Sequence, residues 1–110
     1  MVYIPEQGDL VWLDFDPSCG QEIMKTRPAL VLSRKSFNRH TGMAVVAPVT
    51  STIRNIRLEV VLPDTMKTRG SVLVHQLKSI DFSGRNASFI EKATPAILAE
   101  AQTIAHLVIS

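Results

Sequence analysis

In the run Gln21-Glu22-Ile23-Met24-Lys25-Thr26-Arg27-Pro28, a carboxylate, two cations and a hydroxyl lie close together and lead directly into the apolar segment Ala29-Leu30-Val31-Leu32. Arg27 offers the most chemistry, because a guanidinium is planar, permanently charged and able to hold an oxyanion through two parallel N–H···O bonds. The proline that follows biases the Arg27 backbone away from the helical region and towards the extended one. A cation is thereby held at a defined place between a loop and a rigid strand, where it could clamp a phosphate or simply pair with a nearby acid on the surface. Thr50, in Pro48-Val49-Thr50-Ser51-Thr52, closes an expected strand. It either caps a local turn or, if its strand end lies beside Arg27, donates a hydrogen bond to the same phosphate. Glu22 is an ion-pair partner, or a general base whose pKa is set by Arg27 on one side and a bound anion on the other.

The remaining reactive side chains form no pattern. His40, His75 and His106 are too scattered for a metal motif, and neither HxxxH nor HExxH occurs, so no metal and no cofactor is expected. His106 falls on the polar side of a terminal helix. His75, inside an expected fifth strand, is either a proton-transfer group or a hydrogen-bonded structural histidine. Cys19 is the single cysteine, which excludes an internal disulfide and a thiolate metal cluster and reads as a plain thiol. Asn86-Ala87-Ser88 matches a glycosylation acceptor, but nothing near the N-terminus resembles a secretion signal, and the match reads as chance. There is no phosphate-cradling glycine loop, dinucleotide fingerprint or helix-turn-helix pattern.

These residues must be positioned by a small scaffold. With 110 residues, 45% of them hydrophobic, the chain suits one domain over 1–110 with one core. No apolar run approaches the ~20 residues that span a bilayer, so a soluble, cytoplasmic protein without membrane contact is expected. The net charge of +2 conceals a segregation. Residues 1–22 carry Glu6, Asp9, Asp14, Asp16 and Glu22 without a cation, whereas residues 23–58 carry Lys25, Arg27, Arg34, Lys35, Arg39, Arg54 and Arg57 without an acid. That block is a solvated surface or an attractor for a polyanion such as nucleic acid.

Gly8 to Phe15 predicts a first strand rich in β-favouring residues. Asp16-Pro17-Ser18-Cys19-Gly20 has turn chemistry and opens a loop running to Thr26. Pro28 to Ser33 predicts a second strand, Asn38 to Gly42 a turn, and Met43 to Thr50 a third strand, at an edge or bulged because of Pro48. Ile56 to Leu62 alternates cleanly, with Ile56, Leu58, Val60 and Leu62 inward and Arg57 and Glu59 outward. A fifth strand over Ser71 to Ser79 and an extended piece over Ala87 to Ile90 follow. Thr94 as N-cap, Pro95 at the first helical position, and the stripe Ile97, Ala101, Ile104, Ala105 and Val108 predict a terminal helix packed on the sheet. The sum is a mainly β fold of the α+β kind, a strongly bent antiparallel barrel or sandwich with one helix. The first two strands are apolar on both faces, which points to a dimer interface formed from them or to a thicker core in the monomer.

The run GDLVWLDFDPSCGQE, then TRPALVLSRKSFNRHTGMAVVAPVTS, then HQLKSIDF closely resembles the MazF/PemK family of toxin endoribonucleases, in the correct order over nearly the whole chain. The resemblance implies an SH3-like barrel with a C-terminal helix, a homodimer, metal-independent cleavage of single-stranded RNA, and an acidic MazE-like antitoxin that covers the RNA groove. Carried over by position, Arg27 and Thr50 match the catalytic Arg and Thr, Glu22 the acid of the first loop, and Gln76 a glutamine near the RNA groove. Gln21, Lys25, Ser51, Arg57 and His75 join Gln76 as expected RNA contacts. The chain departs from the family where Ile23-Met24-Lys25 replace loop glycines, and where His75 replaces an acid or Asn. Gln21, Leu73 and His75 do not repeat the catalytic His and Arg–Asp pair of some plasmid-borne relatives. The alternative on the same fold is a CcdB-like gyrase-binding toxin, but those share a Trp-Gly-Ile ending, and this chain ends Leu107-Val108-Ile109-Ser110. A non-catalytic RNA-binding barrel has little stacking surface to work with at 5% aromatic residues.

Overall fold

The computed structural model describes residues 3–15, 25–53 and 56–110. Seven strands, β1 (Asp9–Phe15), β2 (Lys25–Val31), β3 (Met43–Thr50), β4 (Glu59–Val61), β5 (Ser71–Leu73), β6 (Lys78–Asp81) and β7 (Ser88–Lys92), are joined by α1 (Lys35–Thr41) and closed by α2 (Pro95–Ile109). All their pairings are antiparallel. The strand path runs β4-β5-β3-β2-β1-β7, with β6 attached to β3, so the sheet bends like a barrel without closing.

Strand β3 organises the sheet. On one side it pairs with β2; on the other it pairs with β6 through Met43 to Val46 and then with β5 through Val49 and Thr50. Pro48 lies in the gap between those two partners, where a missing N–H costs no ladder bond. Contrary to the edge or bulged strand expected from this proline, β3 is therefore interior.

Apart from Trp12, which is half exposed, most apolar residues on the two faces of β1 and β2 are buried within the chain. Leu10 and Leu30 join Ala47, Val49, Val60, Val72, Val74, Ile97, Ala101 and Ile104 in one core, which α2 helps to cover. Val11, Leu13, Ala29 and Val31 face the other way and build a second core with Ala44, Val46, Ile80 and Phe82. Alternation thus sends successive side chains of these strands into two cores within one chain.

Several local expectations need correction. Asn38 to Gly42 belongs to α1 and its cap rather than to a turn. The Asn38 amide donates to Pro5 O at 2.8 Å while its oxygen accepts from Ser33 Oγ at 2.6 Å, and Gly42 ends the helix at φ 75 with its N–H on Asn38 O. The helix is anchored by a buried polar side chain, so it carries no apolar stripe. The fourth strand shortens to three residues: Ile56 and Leu58 are exposed, and Glu59 is buried, accepting a hydrogen bond from Ser71 Oγ at 2.7 Å. The fifth strand breaks at Leu73 into a 3-10 turn over Val74–Gln76, so His75 sits in a turn. Finally, β2 starts at Lys25, which puts Arg27 inside a strand rather than before one. The terminal helix is as expected at its start: Thr94 Oγ1 accepts from Ile97 N, and Ile97, Ala101 and Ile104 are buried. Val108, expected inward, is exposed.

Candidate functional site

Arg27 stands opposite Leu13 on β1, and β2 meets β3 with Ala29 opposite Pro48. The same register carried outward sets Arg27 level with Thr50, on the same face of neighbouring strands. Both line a cavity of about 700 Å³, together with Trp12, Pro28, Val49, Ser51, Thr52, Lys67, Thr68, Arg69 and Ile90. Arg27 also lines a second cavity of about 240 Å³ with Phe15, Pro48, Gln76 and Lys78. Arg27 therefore borders both clefts.

The linings are electrostatically one-sided. Arg27, Lys67, Arg69 and Lys78 contribute cations, and among the described residues no carboxylate lines either cleft. Among the described residues Arg27 also makes no ion pair. Thr50 Oγ1 accepts from Thr52 N at 3.2 Å, the local turn bond expected of such a residue, and among the described residues its hydroxyl proton is committed to no acceptor. It can cap the turn and donate to a ligand at once. The cleft can thus receive an anion, neutralise it with guanidinium and ammonium groups, and place a hydroxyl donor beside it.

The backbone around these groups is tied down. At the root of β2, Thr26 Oγ1 donates to Asp14 Oδ1 at 2.8 Å, and Asn86 Nδ2 donates to Asp14 Oδ2 at 2.8 Å. The Asn86 and Thr26 bonds hold the Asp14 carboxyl below its ordinary range. At the end of β3, Gly70 adopts φ +111, and a Cβ there would lie 1.9 Å from Thr50 O. Only glycine lets the chain close this tightly over Thr50.

Of the expected site residues, the structure brings Arg27, Thr50 and Ser51 to the large cleft and Gln76 to the small one. Arg57 and His75 line neither. His75 Nδ1 is buried without a hydrogen-bond partner among the described residues, unlike the bonded structural histidine expected. Gln21 and Glu22, like Cys19 and the 16–20 turn, lie outside the described residues, as does the Lys25 side chain. Among the described residues the basic block of residues 23–58 gives only Arg27 to the clefts: Arg34, Lys35 and Arg39 lie on or beside α1, and the clefts recruit Lys67, Arg69 and Lys78 from later in the chain. Trp12, half exposed beside Arg27, was also missed, because its place in an alternating strand gave no signal of the cleft at the strand's end. Its ring face is available for stacking. Among the described residues no group of three or more His, Cys, Asp and Glu side chains could hold a metal ion, and no helix is long and apolar enough to cross a membrane.

A bent antiparallel sheet with a C-terminal helix and a cleft lined by cations and hydroxyls defines a small barrel-like fold. Residues 6–109 match the profile of the PemK-like, MazF-like toxins of type II toxin-antitoxin systems, and the chain belongs to that family. It is 42% identical over 86 residues to the endoribonuclease toxin MazF of Escherichia coli K12, covering 78% of this chain and 77% of that protein. The endoribonuclease PemK of Escherichia coli is 33% identical over 99 residues, covering 86% and 74%. Among solved structures, the MazE-MazF crystal structure (Form-II) from Deinococcus radiodurans superposes with a TM-score of 0.91 at 38% identity, over 99% of this chain and 100% of that one.

Proposed function

We propose that the whole chain is one toxin unit, an endoribonuclease that cuts single-stranded RNA at Arg27 and Thr50 without a metal ion. What supports this reading is that Arg27 and Thr50 both border one cleft whose described lining holds cations and no carboxylate. The endoribonuclease relatives and the antitoxin-bound structure support the substrate and the setting. The ribose 2′-hydroxyl attacks the adjacent phosphorus, the bond from phosphorus to the 5′ oxygen breaks, and a 2′,3′-cyclic phosphate and a 5′-hydroxyl result. Negative charge grows on the non-bridging oxygens, where Arg27 and Thr50 act as preplaced donors; one such donor contributes about 3 kcal/mol of transition-state stabilisation. Glu22 is the proposed base for the 2′ proton, since a guanidinium is a poor proton acceptor at neutral pH. Gln76 contacts RNA from the small cleft. Gln21, Lys25, Ser51, Arg57 and His75 complete the proposed contact set, and sequence preference depends on groove shape and the first loop.

The protein is proposed to act in the cytoplasm as a homodimer, silenced by an acidic MazE-like antitoxin that competes for the cationic cleft. Purified protein incubated with a long RNA in EDTA, followed by mapping of the ends, tests the activity. Arg27→Ala should abolish cleavage with the circular dichroism spectrum unchanged, and a substrate with deoxyribose 5′ to the cut should remain intact. A variant lacking Arg27 that still cuts at most of the normal rate would remove this residue from the chemistry.

A further inference from the structure

The large cleft has a wall that nothing in the proposed mechanism uses. It is the turn carrying Lys67, Thr68 and Arg69, between β4 and β5. Glu91 on β7 grips this turn: Oε1 accepts from Lys67 N at 3.2 Å, and Oε2 accepts from Thr68 N and Thr68 Oγ1 at 2.7 Å each. Partial burial pushes the Glu91 carboxyl up, but these bonds and the Lys67 charge outweigh it and hold the group below its ordinary range. On one side of the grip, Met66 is buried in the main core; on the other, Gly70 is pressed against Thr50. A turn fixed at three points presents its side chains from a rigid base, which lowers the ordering cost of binding. Among the described residues the Arg69 head group pairs with Asp64 alone, at 3.3 Å with both side chains largely exposed, and such a pair is readily exchanged for a phosphate.

We propose that the Glu91-held turn is a second phosphate-binding wall, on which Lys67 and Arg69 take a neighbouring phosphate of the strand whose scissile phosphate lies at Arg27 and Thr50. This rests on the endoribonuclease function and extends it: Lys67 and Arg69 are binding residues, and Glu91 is a positioning residue. RNA is favoured over an acidic peptide because wall and reaction centre share one cleft.

The test measures binding of a short fluorescent RNA of randomised sequence to the full chain across a salt series, beside cleavage kinetics on long RNA. For single strands, each lost phosphate contact lowers the slope of log affinity against log salt by about 0.7. Lys67→Ala should reduce it by one such step and Lys67→Ala with Arg69→Ala by two, with KM raised more than kcat is lowered. Glu91→Ala should weaken binding in the same direction, with Glu91→Gln recovering part of the loss; a merely structural role would lower Tm and leave the slope unchanged. An unaltered slope in the double variant overturns the proposal, as does a loss confined to an acidic antitoxin peptide. Wild-type protein that binds with the expected slope changes yet never cleaves would sink the nuclease function and leave the phosphate wall standing.

Discussion

Thr50 shows how one side chain serves structure and chemistry without conflict. Its oxygen accepts the turn bond from Thr52 N while its proton can be given to a phosphoryl oxygen. Thr50→Val removes both, and is expected to lower kcat by 10²- to 10³-fold, about 3 kcal/mol, whereas Thr50→Ser should retain most activity. Single-turnover cleavage distinguishes the two, and a fully active valine variant would exclude the hydroxyl. Arg27 and Thr50 stood out in the sequence because each lies near a proline in a strand segment, Thr50 at the end of β3 and Arg27 inside β2. Lys67, Arg69 and Trp12 were not, since their place in the cleft depends on contacts between distant segments, and Glu91 reads as an ordinary exposed strand acid until its partners are seen.

At the level of elements, β-strand periodicity identified the long strands and the helix-capping chemistry at Thr94 and Pro95 identified α2. The misreadings have local causes: α1 is anchored by Asn38 rather than by an apolar stripe, β4 begins only at Glu59, which turns inward to Ser71, and Pro48 occupies a changeover between ladder partners. The turn ending at Gly70 is where backbone and site meet. A backbone conformation that L side chains rarely adopt costs on the order of 1–3 kcal/mol, and the added Cβ would also strike Thr50 O. Gly70→Ala should therefore lower the denaturation midpoint and depress cleavage together. Unchanged cleavage in a destabilised Gly70→Ala protein would separate the turn from the site.

For the molecule as a whole, the consequential feature is the pair of cores on the two faces of β1, β2 and β3. Leu30→Ala in one and Leu13→Ala in the other should each cost about 2–5 kcal/mol, and the cost of Leu13→Ala should not vary with protein concentration in urea unfolding. If dilution magnified it, the second face would need a partner chain for its stability. The sequence displayed two apolar faces plainly, but which covering layer buried the second depended on where β6 and the turn to β7 fold back.

The unclosed sheet carries its own consequence. Among the described residues its outer strands are β4, three residues long, β6, four residues long, and β7, which ends in Glu91 and Lys92. A rim that short and that charged offers little template for strand-by-strand stacking, so copies released without their inhibitor should stay dispersed rather than growing into fibres.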